Sequence, residues 1–172
     1  MCEVILEKLL MPGDMLPHFT SVTPEYLLSR GFRFVFSDID NTLATYDDPT
    51  PPDNVVQWCH AMTDAGITIA FVSNNDEARV SLFNKDFGYT AYADAGKPGI
   101  RKLRCAMSDC GAAVDNSAFL GDQLLTDAAT ANRAGLYCII VPPIKDKTNA
   151  FFRFKRWLEK PYVKKWNKMH SK

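Results

Sequence analysis

The amino-acid sequence reads as an α/β chain: a Rossmann-like three-layer sandwich around one central parallel sheet of five strands. Short runs of β-branched and aromatic residues alternate with longer helix-like segments, and strands joined by helical crossovers lie parallel. Polar stretches that carry carboxylates fall directly after those runs, at the strand ends where open α/β sheets gather their ligands.

The elements follow in order. The stretch through about Thr20 is apolar but broken by Pro12, Gly13 and Pro17, and reads as an arm on the domain without a regular element. Thr23-Pro24-Glu25 supplies an N-cap with proline at the first helical position, and the short helix stops at Gly31. Phe32 to Phe36 is the first buried strand. A helix from about Pro52 to Ala65 ends at Gly66, ahead of a second strand from Ile67 to Val72. Asn75-Asp76 caps a helix running to about Phe87 and Gly88 ends it. Tyr89 to Ala93 is a weaker third strand, and a helix follows Pro98 as far as Gly111. Ala118-Phe119-Leu120 is the centre of a fourth strand, followed by a helix from about Thr126 to Ala134. Tyr137 to Val141 is the fifth strand, ended by Pro142-Pro143.

With 172 residues, 47% of them hydrophobic, the chain can bury one substantial core, so a single domain is expected. Residues 1–31 form the arm and short helix, 32–144 the core, and 145–172 a basic, aromatic helix or tail packed on it. The formal net charge is zero, which excludes global steering toward nucleic acid, yet residues 145–172 hold ten Lys and Arg against two acids. The five cysteines are scattered with no CxxC pair and read as free thiols of a reducing compartment. No stretch approaches the roughly 20 apolar residues that cross a bilayer. A soluble, cytoplasmic protein is expected, with peripheral membrane contact through the basic segment.

Asp38-Ile39-Asp40-Asn41-Thr42-Leu43 is the most informative stretch. Two carboxylates leave the end of one strand a residue apart, and like charges that close repel unless a proton or a cation separates them. A divalent metal is the simplest remedy. Ser73-Asn74-Asn75 follows the second strand, Gly96-Lys97-Pro98-Gly99 the third, and Gly121-Asp122-Gln123-Leu124-Leu125-Thr126-Asp127 the fourth. A parallel sheet turns all four toward one crevice. An acid cluster, a hydroxyl, a lysine and helix N-termini together are equipment for a phosphoryl group. Taken singly, each motif has a plain structural reading: an Asx-turn for the aspartates, an N-cap for Ser73, a solvated turn lysine for Lys97, a dipole-compensating acid for Asp127. His18, His60 and His170 show no ligand spacing.

These motifs, in this order, resemble the haloacid dehalogenase (HAD) superfamily of phosphatases. The stretch LMPGDMLPHFTSVTPEYLLSRGF and the uninterrupted core are similar to its capless subfamily IIIA, the YqeG type. The resemblance implies Asp38 as the nucleophile that forms an aspartyl-phosphate, and Asp40 as general acid and then base, its main-chain carbonyl on the metal. It implies Ser73 and the amide of Asn74 as phosphoryl-oxygen ligands, Lys97 as the balancing cation, Asp38 and Asp122 as side-chain ligands of Mg²⁺, and Asp127 as their support. A response-regulator receiver domain uses similar groups in a different order, and no GxxxxGK[ST] loop is present.

Family members often carry a cap inserted between these motifs. The 35 residues from Asp38 to Ser73, and the 24 from Ser73 to Lys97, hold one helical crossover each. No cap is therefore expected, and the site should be open to a bulky phosphomonoester. YqeG-type relatives include phosphatidylglycerophosphate phosphatases, and the interleaved aromatics and cations from Phe151 to Trp166 suit an anionic membrane surface. The same residues also suit a terminal helix packed on the sheet with its lysines in water. Two function classes remain at this point: a Mg²⁺-dependent phosphatase acting on a phospholipid head group or another bulky phosphate, with a second subunit as a lid for small substrates, and a non-catalytic protein of the same fold that docks on a membrane, a ribosome or a protein.

Overall fold

The computed structural model describes residues 2–145 and 150–170. Helix α1 (Cys2–Leu10) leads into strand β1 (Asp14–Met15), and α2 (Pro24–Leu28) into β2 (Phe34–Ser37). Then come α3 (Asp53–Asp64), β3 (Thr68–Val72), α4 (Glu77–Asn84), β4 (Thr90–Tyr92) and α5 (Arg101–Cys110). The chain continues through β5 (Ser117–Gly121), α6 (Ala129–Ala134), β6 (Tyr137–Ile140) and α7 (Ala150–His170). All pairings are parallel, in the order β1-β6-β5-β2-β3-β4.

Among the described residues six strands stand where five were expected. The sixth comes from the N-terminal stretch, which holds α1 and β1 in place of an irregular arm. Strand β1 is two residues long, too short to show a period, and its partner lies at the far end of the domain: Asp14 pairs with Ile139 and Met15 with Ile140. The amides of Gly13 and Leu16 extend the ladder to the carbonyls of Cys138 and Ile140, at 2.8 and 2.9 Å.

Alternation along the buried strands builds two apolar layers. Val35 of β2 and Leu120 of β5 face the layer under α3 and α4, with Phe71 and Phe83. Phe36 and Phe119 face the opposite layer, with Leu103 of α5 and Ala131 of α6. The caps read from sequence are in place: Thr23 accepts the amide of Tyr26, and Asp76 that of Arg79. The helix expected from Thr126 opens earlier, as a wide π-helical turn over Leu124–Ala128 that runs into α6.

The basic C-terminal segment is a helix from Ala150, and Tyr162 and Val163 pack on the second layer. Residues 146–149 and 171–172 of that segment, and the side chains of Phe151 and Phe152, lie outside what is described. Among the described residues no helix is long and apolar enough to cross a membrane.

Candidate active site

The crevice lies at the carboxyl ends of β2, β3, β4 and β5. Past Ser37 the ladder continues for one more bond, Asp38 N to Leu120 O at 2.9 Å. Ile39 is wholly buried in the core, so the side chains on either side of it, Asp38 and Asp40, share the other face. The chain then turns sharply. Asn41 takes a left-handed φ of 67°, which asparagine tolerates, and the amides of Thr42 and Leu43 return to the carbonyl of Ile39.

Lys97, buried and delivered by the β4–α5 turn, is the pivot of the site. Its Nζ is 2.8 Å from Asp127 Oδ1 and 2.9 Å from Asp38 Oδ1. Burial alone would lower its pKa, but Asp127 and Asp38 together hold it above the ordinary value. The lysine's backbone is tied to Asn74 by a reciprocal pair: Lys97 N donates to Asn74 Oδ1 at 2.7 Å, and Asn74 Nδ2 donates to Lys97 O at 3.1 Å. The Asn74 side chain is therefore a brace for Lys97. Ser73 is buried beside it, and its hydroxyl oxygen accepts the amide of Asn75 at 3.0 Å.

Asp127 folds back over the end of β5. Its Oδ2 accepts the amides of Asp122 and Gln123 at 3.1 and 3.0 Å. This works because residue 121 is glycine: a Cβ there would sit 2.3 Å from Asp127 Cβ. Oxygens of Asp38, Asp122 and Asp127 lie within 4.8 Å of one another. Both oxygens of Asp127 are already engaged, by Lys97 and by the two amides, whereas Asp38 Oδ1 and Asp122 Oδ1 are buried with no hydrogen bond. The 2.9 Å contact of Asp38 Oδ1 with Lys97 is an ion pair without hydrogen-bond alignment.

Electrostatics follow from that burial. Burial lifts the Asp38 carboxyl to about 7, with Lys97 pulling down and Asp127 pushing up. Burial and the charge of Asp127 lift Asp122 to about 8, against the pull of Arg156. The field reaches Tyr46 at the mouth, whose phenol is raised by burial and then by Asp38 and Asp40. Buried carboxyls with raised pKa values could hold a divalent cation in place of protons. The cleft above them has a volume of about 220 Å³ and is lined by Asp38, Asp40, Tyr46, Ser73, Asn74 and Asn75.

The fold thus brings together all seven residues singled out from sequence. Besides Tyr46 at the mouth, four further groups were not anticipated. Asn75 Nδ2 donates to Asp40 Oδ2 at 2.9 Å. Arg79, from the first turn of α4, donates through Nε to Asp40 Oδ1 at 3.2 Å, and its Nη2 lies 3.1 Å from the same oxygen. The guanidinium also holds the carbonyls of Thr45, Asp48 and Pro49. From α7, Arg156 reaches Asp122, and Glu159 pairs with Arg156. Asn75 stood in view beside Ser73, and Arg79 three residues after a helix cap; neither position announces a partner 35 or 39 residues away. Arg156 is indistinguishable by composition from the cations around it.

A parallel sheet that gathers these acids, the lysine and the serine at one rim defines the class. A family model described as HAD-hydrolase-like matches residues 94–147. The chain belongs to the HAD superfamily of phosphatases and is a hydrolase. It is 32% identical over 156 residues to the probable phosphatase YqeG of Bacillus subtilis (strain 168), a match covering 91% of each chain. Among solved structures, the 3-deoxy-D-manno-octulosonate 8-phosphate phosphatase of Moraxella catarrhalis, crystallised with a magnesium ion, a phosphate ion and KDO, shares the fold. Its TM-score is 0.53 at 14% identity, covering 86% of this chain and 97% of that one. A putative HAD subfamily III A hydrolase from Legionella pneumophila gives 0.50 at 17% identity, covering 70% of each.

Proposed function

We propose that this chain is a Mg²⁺-dependent phosphomonoesterase that works through an aspartyl-phosphate on Asp38. The observation that carries the reading is the buried acid pair beneath the cleft that Asp38 lines: Asp122 Oδ1 makes no hydrogen bond, and Asp38 Oδ1 meets only the Lys97 ammonium. The donor set is all oxygen and doubly acidic, which fits a hard divalent cation. Asp38 and Asp122, with the main-chain carbonyl of Asp40, would hold it; both oxygens of the Asp40 side chain are occupied by Asn75 and Arg79. Bound there, the ion would supply the positive charge that lets an anionic nucleophile approach a phosphate ester.

The rest is the work of the chain's own residues. A carboxylate oxygen of Asp38 attacks phosphorus and forms an acyl phosphate as the ester P–O bond breaks. Asp40, fixed by Arg79 and Asn75, gives its proton to the departing alkoxide. Water then attacks the phosphorus, Asp40 takes back a proton, and inorganic phosphate leaves with Asp38 regenerated. Lys97 balances charge on Asp38 and Asp127 as charge builds on the phosphoryl oxygens. Ser73 and the Asn74 amide bind those oxygens.

For the substrate we propose a phospholipid head group, with phosphatidylglycerophosphate as the first candidate. One helix fills each crossover flanking β3, which supports a site without a cap, open to a large molecule at a surface. Helix α7 turns Phe154, Trp157 and Leu158 to solvent among its lysines, beside the site, which suits peripheral contact with an anionic membrane. The test is phosphate release from phosphatidylglycerophosphate in mixed micelles and from p-nitrophenyl phosphate, with and without Mg²⁺, with Asp38→Asn as blank. Equal rates in wild type and mutant would refute the chemistry; equal weak rates on lipid and soluble esters would refute the lipid.

A further inference from the structure

We infer that the C-terminal helix is part of the active site, and that Arg156 is a positioning residue that aims Asp122 at the cation. The inference rests on the Mg²⁺-dependent reading above and adds to it a residue outside the four motifs.

Arg156 grips Asp122 twice. Its Nη2 is 2.6 Å from Asp122 Oδ2, and its Nη1 donates to the main-chain carbonyl of Asp122 at 2.8 Å. With carbonyl and carboxylate held by one planar fork, rotation of the Asp122 side chain is blocked. The oxygen left over, Oδ1, is buried, makes no hydrogen bond and belongs to the acid cluster. An aspartate clamped on one oxygen with the other unpartnered is the arrangement in which an outer group orients a metal ligand.

Glu159, one turn further along α7, completes the clip. Its Oε2 pairs with Arg156 Nη1 at 3.0 Å, and its Oε1 accepts the amide of Leu125 at 3.1 Å. Glu159 is 2% exposed although it sits on a basic helix. It serves two ends: it docks α7 on the turn after Asp122, and it offsets the charge that Arg156 brings. That offset argues against Arg156 as a stand-in for the metal. A competing cation would sit among the acids, whereas Arg156 touches Asp122 alone of the three and leaves Oδ1 untouched.

The chain is also guided to this place. After β6, Ile144 N donates to Asn41 O at 3.0 Å and Lys145 N to Asn41 Oδ1 at 3.3 Å, beside Asp40. The C-terminal segment therefore meets the site on both sides, at the Asp40 turn and at Asp122.

The experiment is calorimetric titration of MgCl2 into the full-length wild type, Arg156→Ala, Arg156→Lys and Lys165→Ala, with p-nitrophenyl phosphate turnover over the same Mg²⁺ range. Outer partners of metal ligands typically contribute about 10- to 100-fold in affinity. Arg156→Ala should weaken Mg²⁺ binding by about tenfold or more, with kcat largely recovered at saturating Mg²⁺. Arg156→Lys, which keeps the charge but loses the fork, should fall between. Lys165→Ala, which breaks only the exposed pair with Glu7, should bind as wild type. Unchanged or tighter Mg²⁺ binding by Arg156→Ala overturns the inference. If that variant does not fold, wild-type affinity in Arg156→Lys overturns it instead. Wild type that binds Mg²⁺ but releases no phosphate refutes the phosphatase mechanism and leaves the clip to be judged by heat alone; wild type that binds no Mg²⁺ sinks both.

Discussion

Asp40 and Asp122 are each held by an arginine, and the two arrangements differ in how deeply they are built in. Arg79 comes from α4 inside the core, its side chain 12% exposed, and it spends the rest of its guanidinium on three carbonyls of the loop from Thr45 to Pro49. It fixes an acid and the wall of the cleft at once. Arg156 comes from the last helix, its side chain 32% exposed, and besides Asp122 itself is backed by Glu159. One flank of the site is made by the crossover between β3 and β4 and the other by the C-terminal helix. On the proposed function, the Arg79–Asp40 flank should respond to mutation in turnover and stability, and the Arg156–Asp122 flank in cation affinity.

The largest break in that comparison is at the shared centre. Asp38→Asn should lower phosphate release by about a thousandfold or more, since the proposed nucleophile is lost to both flanks; the fold should persist by circular dichroism. Next comes Lys97→Met, which leaves Asp38 and Asp127 buried without their cation. Removing one partner of a buried ion pair costs about 3 kcal/mol or more, to be read as a lower urea midpoint. Arg79→Ala should reduce kcat by about a hundredfold through misplacement of Asp40, with Mg²⁺ affinity near wild type. A matching loss of Mg²⁺ affinity would erase the distinction between the flanks.

The smallest expected effect is on pH. Asp38 and Asp122 have folded pKa values of about 7 and about 8 against an ordinary 3.8. A carboxyl raised by folding holds its proton longer in the native state, so its contribution is complete below about pH 4 and is lost as pH climbs through 7 and 8. Without metal, melting temperature should therefore fall by a few degrees between pH 6 and 8.5. Mg²⁺ bound at these carboxyls would displace those protons, so the melting-temperature gain on adding it should be larger at pH 8.5 than at pH 6. A gain independent of pH would place the cation elsewhere.

Much of the site was legible along the chain because its parts are local. Each motif is a hydrophobic run followed within a few residues by polar groups, and a parallel sheet carries every such end to the same rim. That is why Asp38, Ser73, Lys97 and Asp122 stand out along the chain as neighbours at that rim. Asp127 was legible as an acid, but its hold on the Asp122 and Gln123 amides needed the close approach over Gly121. Asn74 was expected at the phosphate through its amide, while its side chain turned out to brace Lys97.

The sequence by itself determined the α/β class, five of the six strands, the order of the four motifs and the acids, lysine and serine they bring to one rim, because period, turn residues and caps are short-range properties. The tertiary structure alone decided the pairing of β1 with β6, of Arg79 with Asp40 and of Arg156 with Asp122. These contacts join residues 34 or more positions apart, and among the many cations of this chain a partner is set by the distance and burial that the folded sheet imposes.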